Sequence, residues 1–276
     1  MTLLRGADAT GRYAPSPTGA LHLGNLRTAL LAWLFARSQG ARFLVRIDDL
    51  DSGRVRPGIA EQQLTDLAAL GLDWDGPVVR QSERLERYAA ALQQLDAGGH
   101  LYPCYCTRAE IRQAVSAPHG ALPEGAYPGT CRELTAAQRA ERERARRPPA
   151  LRLRAAQATV TFTDRLLGRH MGVVDDLVVR RNDGAPAYNL AVVVDDTAQG
   201  VGEVVRGADL LETTPRQLHV AALLALPAPR YAHVPLVLGP DGGRMAKRHG
   251  AVTLAGRAAA GQSAVQVRAE LARSVG

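Results

Sequence analysis

The stretch GRYAPSPTGALHLGNLRTAL, Gly11 to Leu30, sets the architecture. Gly11 to Ser16 reads as a short strand running into a loop broken by Pro15 and Pro17. After Gly24 the apolar residues Leu26, Ala29, Leu30, Trp33 and Leu34 recur at helical spacing. The next apolar segment, Arg42 to Ile47 (RFLVRI), suits a buried strand, so the first helix should cross over to a parallel neighbour. A strand, loop and helix in this order put backbone N–H groups and the positive end of a helix dipole at the loop, where phosphate is favoured. His22, in that loop, could donate to phosphate oxygens or offset charge as pyrophosphate leaves. The expected class is therefore α/β, with a Rossmann-type parallel sheet.

Downstream, helices are expected over Ala60 to Leu70, ending at Gly71, and over Glu83 to Leu95, ending at Gly98-Gly99. The texture changes over residues 101–150, which hold the cysteines, several Pro and Gly, and the run AAQRAERERARRPP, read as a solvated helix ending at Pro148. Strand-like segments resume at Thr159 to Phe162 and at Leu190 to Val194 (LAVVV), the latter read as a central parallel strand. A helix over Pro215 to Leu226 follows Thr213-Thr214, a plausible cap. Beyond the apolar run Val234 to Leu238, Gly243 to Arg248 sets cations in a Gly-bounded loop that could clamp a triphosphate. The residues past Gly250 leave room for about one helix. This gives a first half of the sheet domain (1–103), an inserted subdomain (104–184), a second half (185–250) and a short helical tail (251–276).

With 276 residues, 46% of them hydrophobic, the chain can bury a sizeable core without disulfides. Its three cysteines, Cys104, Cys106 and Cys131, lie in one short stretch, which suits a metal site better than a disulfide framework. No apolar run reaches the roughly 18 to 20 residues of a membrane span, and the N-terminus has no apolar targeting region, so a cytoplasmic, membrane-free protein is expected. The net charge of +7 allows a polyanionic partner such as RNA, although charge alone does not choose one.

The His22 loop and the Gly243 to Arg248 loop together resemble the HIGH and KMSKS signatures of class I aminoacyl-tRNA synthetases. More narrowly, GRYAPSPTGALHLGNLRTAL, RIDDLD, LGLDWDGP, YNLAVVVDD and VVRGADLL resemble, in order, the motifs of glutamyl-tRNA synthetases from about Gly11 to Gly250. Because the chain stops soon after the KMSKS-like loop, it most resembles the glutamyl-queuosine tRNA(Asp) synthetases, truncated paralogues without the anticodon-binding domain; RGADLLETTPRQ and the cysteine-bearing insertion fit that subfamily. The resemblance implies activation of L-glutamate with ATP and Mg²⁺, then transfer to the queuosine base at the wobble position of tRNA(Asp), by a chain acting as a monomer. Charging of a tRNA 3′ end, or a catalytically silent tRNA-binding module, are the competing readings.

Carried over by position, the resemblance makes Arg12, Tyr13, Ala14, Pro15 and Ser16 one wall of a glutamate site that Tyr188 and Arg206 complete. An arginine suits a two-pronged, charge-assisted grip on a carboxylate. Asp48 stands where the family has a longer Glu meeting the substrate ammonium group. ATP would meet His22, Gly24, Asn25, Arg244, Met245 and Lys247, with His22 and Lys247 as the catalytic pair. Asn25 replaces the last His of HIGH, Arg244 the first Lys of KMSKS, and Ala246 its Ser. Cys104, Cys106 and Cys131 suggest three ligands of one structural zinc per chain. Metal chemistry alone favours His119 as the fourth ligand, whereas the family's Tyr-x-x-x-Cys arrangement implies Tyr127.

Overall fold

The computed structural model describes residues 9–107, 109–111, 126–144, 148–237 and 252–274. In chain order the elements are β1 (Gly11–Tyr13), α1 (Leu23–Arg37), β2 (Phe43–Ile47), α2 (Ile59–Ala69), β3 (Val79–Arg80), α3 (Leu85–Ala97), β4 (Leu101–Cys104), α4 (Ala136–Arg144), β5 (Ala150–Leu153), β6 (Thr159–Asp164), β7 (Gly168–Val173), β8 (Val178–Arg180), α5 (Tyr188–Ala198), β9 (Glu203–Gly207), α6 (Thr214–Leu223), β10 (Arg230–Val234), α7 (Leu254–Ala259) and α8 (Ala264–Arg273).

As expected for the first unit, β1 and β2 pair in parallel, Gly11 opposite Phe43, and β3 continues the set beyond β2. A second array runs β9, β10, β6, all parallel, with β7 antiparallel at its edge. The arrays meet where Gly202 and Glu203 both donate to the Thr10 carbonyl, at 3.0 and 3.2 Å. From this seam the chain winds outward both ways, through α1 to β2 and through α6 to β10. The seam is thus a topological switch point, the place in an open α/β sheet where a crevice opens beyond the strand ends. β6 and β7, which fall within residues 104–184, extend the sheet of the second half.

Two apolar cores flank this framework. Leu26 and Leu30 of α1 pack with Phe43 and Val45 of β2, Val205 of β9 and Leu271 of α8. Tyr88 and Leu95 of α3 pack with Leu190 and Val192 of α5 and Val220 of α6. α2 stops at Leu70 because Gly71 turns left-handed, φ +70°, a conformation that costs a side-chain-bearing residue energy. The tail forms two short helices where about one was expected; Ser263 and Gln266 build a capping box that starts the second afresh.

The expected strand at Leu190 to Val194 is instead the middle of helix α5. Every residue from Leu190 to Asp196 is buried, so the helix carries a continuous apolar run, which periodicity cannot tell from a buried strand. Thr213-Thr214 also differs from expectation: Thr213 makes no side-chain cap and donates instead to Asn189 Oδ1 at 3.0 Å, while Pro215 lies in the first turn of α6. β5 and β8 of the insertion form a small antiparallel sheet with β4, which leads into it, and α4 buries no side chain, as its charge run foretold.

Candidate functional site

A cleft of about 480 Å³ opens at the C-terminal ends of β1 and β9. Arg12, Tyr13, Ala14, Pro15, Ser16, His22, Gly24, Asn25, Asp48, Tyr188 and Arg206 all line it, drawn together from four separate motifs. Arg244, Met245, Lys247 and His119 lie outside the described residues.

At its phosphate-favouring end, His22 is the N-cap of α1. Its Nδ1 accepts from the Asn25 N–H and Asn25 Oδ1 accepts from the His22 N–H, each at 3.2 Å. With Nδ1 accepting, the neutral ring carries its proton on Nε2. Asn25 is therefore the reciprocal half of the cap, which gives its departure from the HIGH pattern a physical purpose. A Cβ at position 24 would stand 3.0 Å from the His22 ring, so a larger residue there would push the imidazole from its place by a few tenths of an ångström. Gln63 of α2 also lines the cleft and ties down its loop, donating to the Ser16 and Gly19 carbonyls at 3.1 and 2.8 Å. No sequence signal marked that glutamine.

The opposite wall rests on a buried ionic cluster. Arg46, wholly buried, donates through Nε to Asp48 Oδ1 and through Nη1 to Asp196 Oδ1, both at 2.7 Å. Arg12 reaches both oxygens of Asp196 at 3.3 Å. Asp195 accepts from Arg84 at 2.6 Å, Tyr88 at 2.7 Å and Gln81 at 2.9 Å. Asp195 and Asp196 close the motif YNLAVVVDD, yet their role as counter-ions becomes visible only once α5 is a helix facing β2. Burial disfavours charge on Asp196, but Arg12 and Arg46 outweigh it and hold the carboxyl below its ordinary range. For Asp48 burial wins despite Arg46, so its pKa is raised.

Arg206 projects from β9 and is 5% exposed. Its Nε donates to His233 Nε2 at 3.0 Å, Nη1 to Gln217 Oε1 at 2.7 Å, and Nη2 to Thr214 Oγ1 at 2.8 Å and the Leu210 carbonyl at 3.4 Å. These bonds use four of a guanidinium's five donors. This arrangement leaves one Nη1 N–H for a ligand, where a two-pronged grip on a carboxylate needs two. Burial lowers the Arg206 pKa.

A second cavity, about 920 Å³, shares Ser16, Thr18, Asp48 and Tyr188 with the first and extends to Cys104 and Cys106, with Arg54, Arg152 and Arg181 among its walls. At its far end the Sγ atoms of Cys104, Cys106 and Cys131 lie within 4.8 Å of one another. The Tyr127 hydroxyl stands 3.4 Å from Cys104 Sγ and 3.5 Å from Cys106 Sγ, and the Cys131 N–H donates to it at 2.9 Å. Zinc–sulfur bonds of about 2.3 Å in a tetrahedron space the ligands by roughly 3.5 to 3.8 Å; Cys106 and Cys131 stand 3.4 Å apart and the Tyr127 oxygen 3.4 and 3.5 Å from two sulfurs, so the three cysteines could hold a metal ion. The thiols share their protons unequally: hydrogen bonds from Cys106 and Cys131 push Cys104 down, while those from Cys104 and Cys131 push Cys106 up.

The chain matches the family model described as tRNA synthetases class I (E and Q), catalytic domain, over residues 9–266. It is 65% identical over 266 residues to the glutamyl-Q tRNA(Asp) synthetase of Nocardia farcinica, covering 96% of this chain and 84% of that one. Against the protein of the same name from Symbiobacterium thermophilum it is 54% identical, with 95% and 85% covered. Among solved structures, a glutamate tRNA ligase from Elizabethkingia meningosepticum superposes with a TM-score of 0.75 at 29% identity, covering 88% of this chain and 52% of the ligase. The chain thus spans about half the length of that enzyme. Taken with the site, these matches show that the chain belongs to the class I tRNA synthetases of the glutamate and glutamine type and, within them, to the glutamyl-Q tRNA(Asp) synthetases.

Proposed function

We propose that this protein is a ligase that activates L-glutamate with ATP and transfers it to the queuosine base at the wobble position of tRNA(Asp). The observation that carries the reading is the cleft itself. One crevice, at the switch point of the sheet, brings together the strand-end Arg12, the helix-capping His22, Asp48 and Arg206. An anion-favouring helix start beside a pocket with buried arginines and an acid suits a triphosphate next to an amino acid.

In the first step the glutamate α-carboxylate attacks the α-phosphorus of ATP; the new O–P bond forms as pyrophosphate leaves. Catalysis rests on positioning and charge stabilisation, with no covalent enzyme intermediate. Asp48 would meet the substrate ammonium group and Arg206 a carboxylate, with Tyr13, Ala14, Pro15, Ser16 and Tyr188 shaping the pocket. His22 would face the departing phosphates from the start of α1, with Gly24 and Asn25 beside it and Arg244, Met245 and Lys247 closing from the KMSKS-like loop. Mg²⁺ enters as the partner of ATP. In the second step a hydroxyl of the queuosine cyclopentenediol attacks the adenylate carbonyl and AMP leaves. The second cavity is the seat for that nucleoside, with Arg54 and Arg181 available to neutralise flanking phosphates.

A structural zinc on Cys104, Cys106, Cys131 and Tyr127 would close the insertion, which has little core of its own. Charging of a tRNA 3′ end is the second reading, favoured by the superposition on glutamate tRNA ligase. ATP–pyrophosphate exchange tests the first step. Exchange with glutamate but not aspartate, without any tRNA, supports the free-standing activating enzyme. Exchange only once tRNA is added favours the charging reading, and none under any condition removes both.

A further inference from the structure

Behind the cleft a carboxylate, an imidazole and the cleft arginine stand in line. Asp164, at the end of β6, and His233, on β10, are 1% and 0% exposed. Asp164 Oδ2 lies 2.7 Å from His233 Nδ1 and accepts from the His233 backbone N–H at 3.0 Å, while Oδ1 accepts from the Leu166 and Leu167 N–H groups at 2.9 Å. So many donors fix the carboxylate as a charged acceptor. Burial opposes that charge, but His233 and the backbone donors outweigh it and lower the Asp164 pKa.

An acceptor at Nδ1 places the imidazole proton there, which leaves Nε2 of the neutral ring as a lone-pair acceptor. That atom faces Arg206 Nε at 3.0 Å and Thr214 Oγ1 at 3.2 Å. A guanidinium can only donate, so the Arg206 contact requires this one tautomer. Since Arg206 keeps one N–H for a ligand, the direction of its plane decides whether that N–H meets a carboxylate.

We infer that the Asp164–His233 pair is a positioning device for Arg206, holding the guanidinium plane so that its remaining Nη1 donor points at the substrate carboxylate. The inference rests on the reading that Arg206 receives glutamate. It gives the β6–β7 hairpin a part in substrate binding, since β6 carries the acid that sets the imidazole's tautomer. Protonation of His233 would replace the acceptor by a donor against Arg206. The groups that face His233 are Asp164 from β6, His170 from β7, Arg206 from β9, Thr214 from α6, and Tyr231 on its own strand, whose ring stacks at 5.9 Å. Burial, joined by the charges of Arg206 and His170, outweighs the pull of Asp164 and lowers the His233 pKa.

The test is glutamate-dependent ATP–pyrophosphate exchange, with tRNA present if the wild-type enzyme needs it. His233→Leu, which removes the acceptor, should raise the glutamate KM on the order of tenfold or more while leaving the ATP KM unchanged and kcat within about threefold. His233→Gln, whose amide oxygen can accept from Arg206 Nε, should recover much of that loss. Asp164→Asn presents an amide donor to Nδ1, turns the tautomer over and should raise the glutamate KM selectively; it carries the test if His233→Leu does not fold, as checked by circular dichroism. In the wild type the glutamate KM should rise with acid below the ordinary imidazole range, with the ATP KM flat. An unchanged glutamate KM in folded variants, or glutamate and ATP KM rising together, overturns the inference. Wild-type protein without glutamate-dependent exchange overturns the functional reading as well.

Discussion

Arg206 and Asp48 are the charged residues proposed to meet glutamate, and their surroundings make opposite demands. Arg206 is braced by four acceptors that its removal would leave unpaired, so truncation should cost stability as well as binding, and the variant's fold is checked by circular dichroism before its kinetics are read. Arg206→Ala is expected to lose about 3 kcal/mol of a charge-assisted contact, or roughly a hundredfold in kcat/KM for glutamate. Steady-state exchange kinetics read that loss; normal glutamate turnover in the variant would remove Arg206 from the site. Asp48 has a folded-state pKa raised above 3.8, chiefly by burial. The folded protein therefore binds this proton more tightly than the unfolded chain, and stability falls as pH rises from 3.8 to the folded value, then stays lower. Asp48→Asn should accordingly keep or raise Tm near neutral pH while glutamate-dependent exchange drops. A lower Tm together with full activity would show that the carboxylate serves the fold. Asp196 has the reverse sign: its pKa lies below 3.8, so its stabilisation is present above that value and is lost as acid titrates it through the lower folded pKa. Thermal melts of Asp196→Asn should show a deficit against wild type at neutral pH that shrinks at the acid end.

At the scale of elements, the sequence made β1, the Pro-broken loop, α1 and β2 legible because period, Pro and Gly signals agreed there. The misread element was α5. Its run LAVVV is buried all round by α3, α6 and the Arg46 cluster, so no polar face betrays the helix. The same burial hid the pairing of Asp195 and Asp196 with Arg46 and Arg12, which is a property of tertiary contact alone. In the insertion, spacing drew attention to the cysteines, but only the fold brings Tyr127 to within 3.5 Å of two sulfurs. Zinc is expected at about one equivalent per chain, and Cys131→Ser should lose it and unfold the insertion at lower temperature. Metal analysis with a thermal melt checks both, and folded, metal-free wild-type protein would contradict the zinc assignment.

For the whole molecule, the decisive feature is where two parallel arrays meet. A cleft forms at that seam because the chain leaves it in both directions, and the motifs scattered from Arg12 to Arg206 converge on it. Their order could be read from the sequence, but the relay from Asp164 through His233 could not, since His233 sits in an unremarkable strand. The second cavity offers room for a nucleoside beside the activated glutamate, and no helix among the described residues is long and apolar enough to cross a membrane. The central claim is transfer of glutamate to the wobble base. The direct test offers labelled glutamate and ATP to two preparations of tRNA(Asp), one with queuosine and one with guanine at that position, each supplied both intact and trimmed of the 3′-terminal adenosine. Label is expected on the queuosine-bearing tRNA, trimmed or intact, and none on the other; label appearing only on tRNA with an intact 3′ end, whichever wobble base it carries, would contradict transfer to the base.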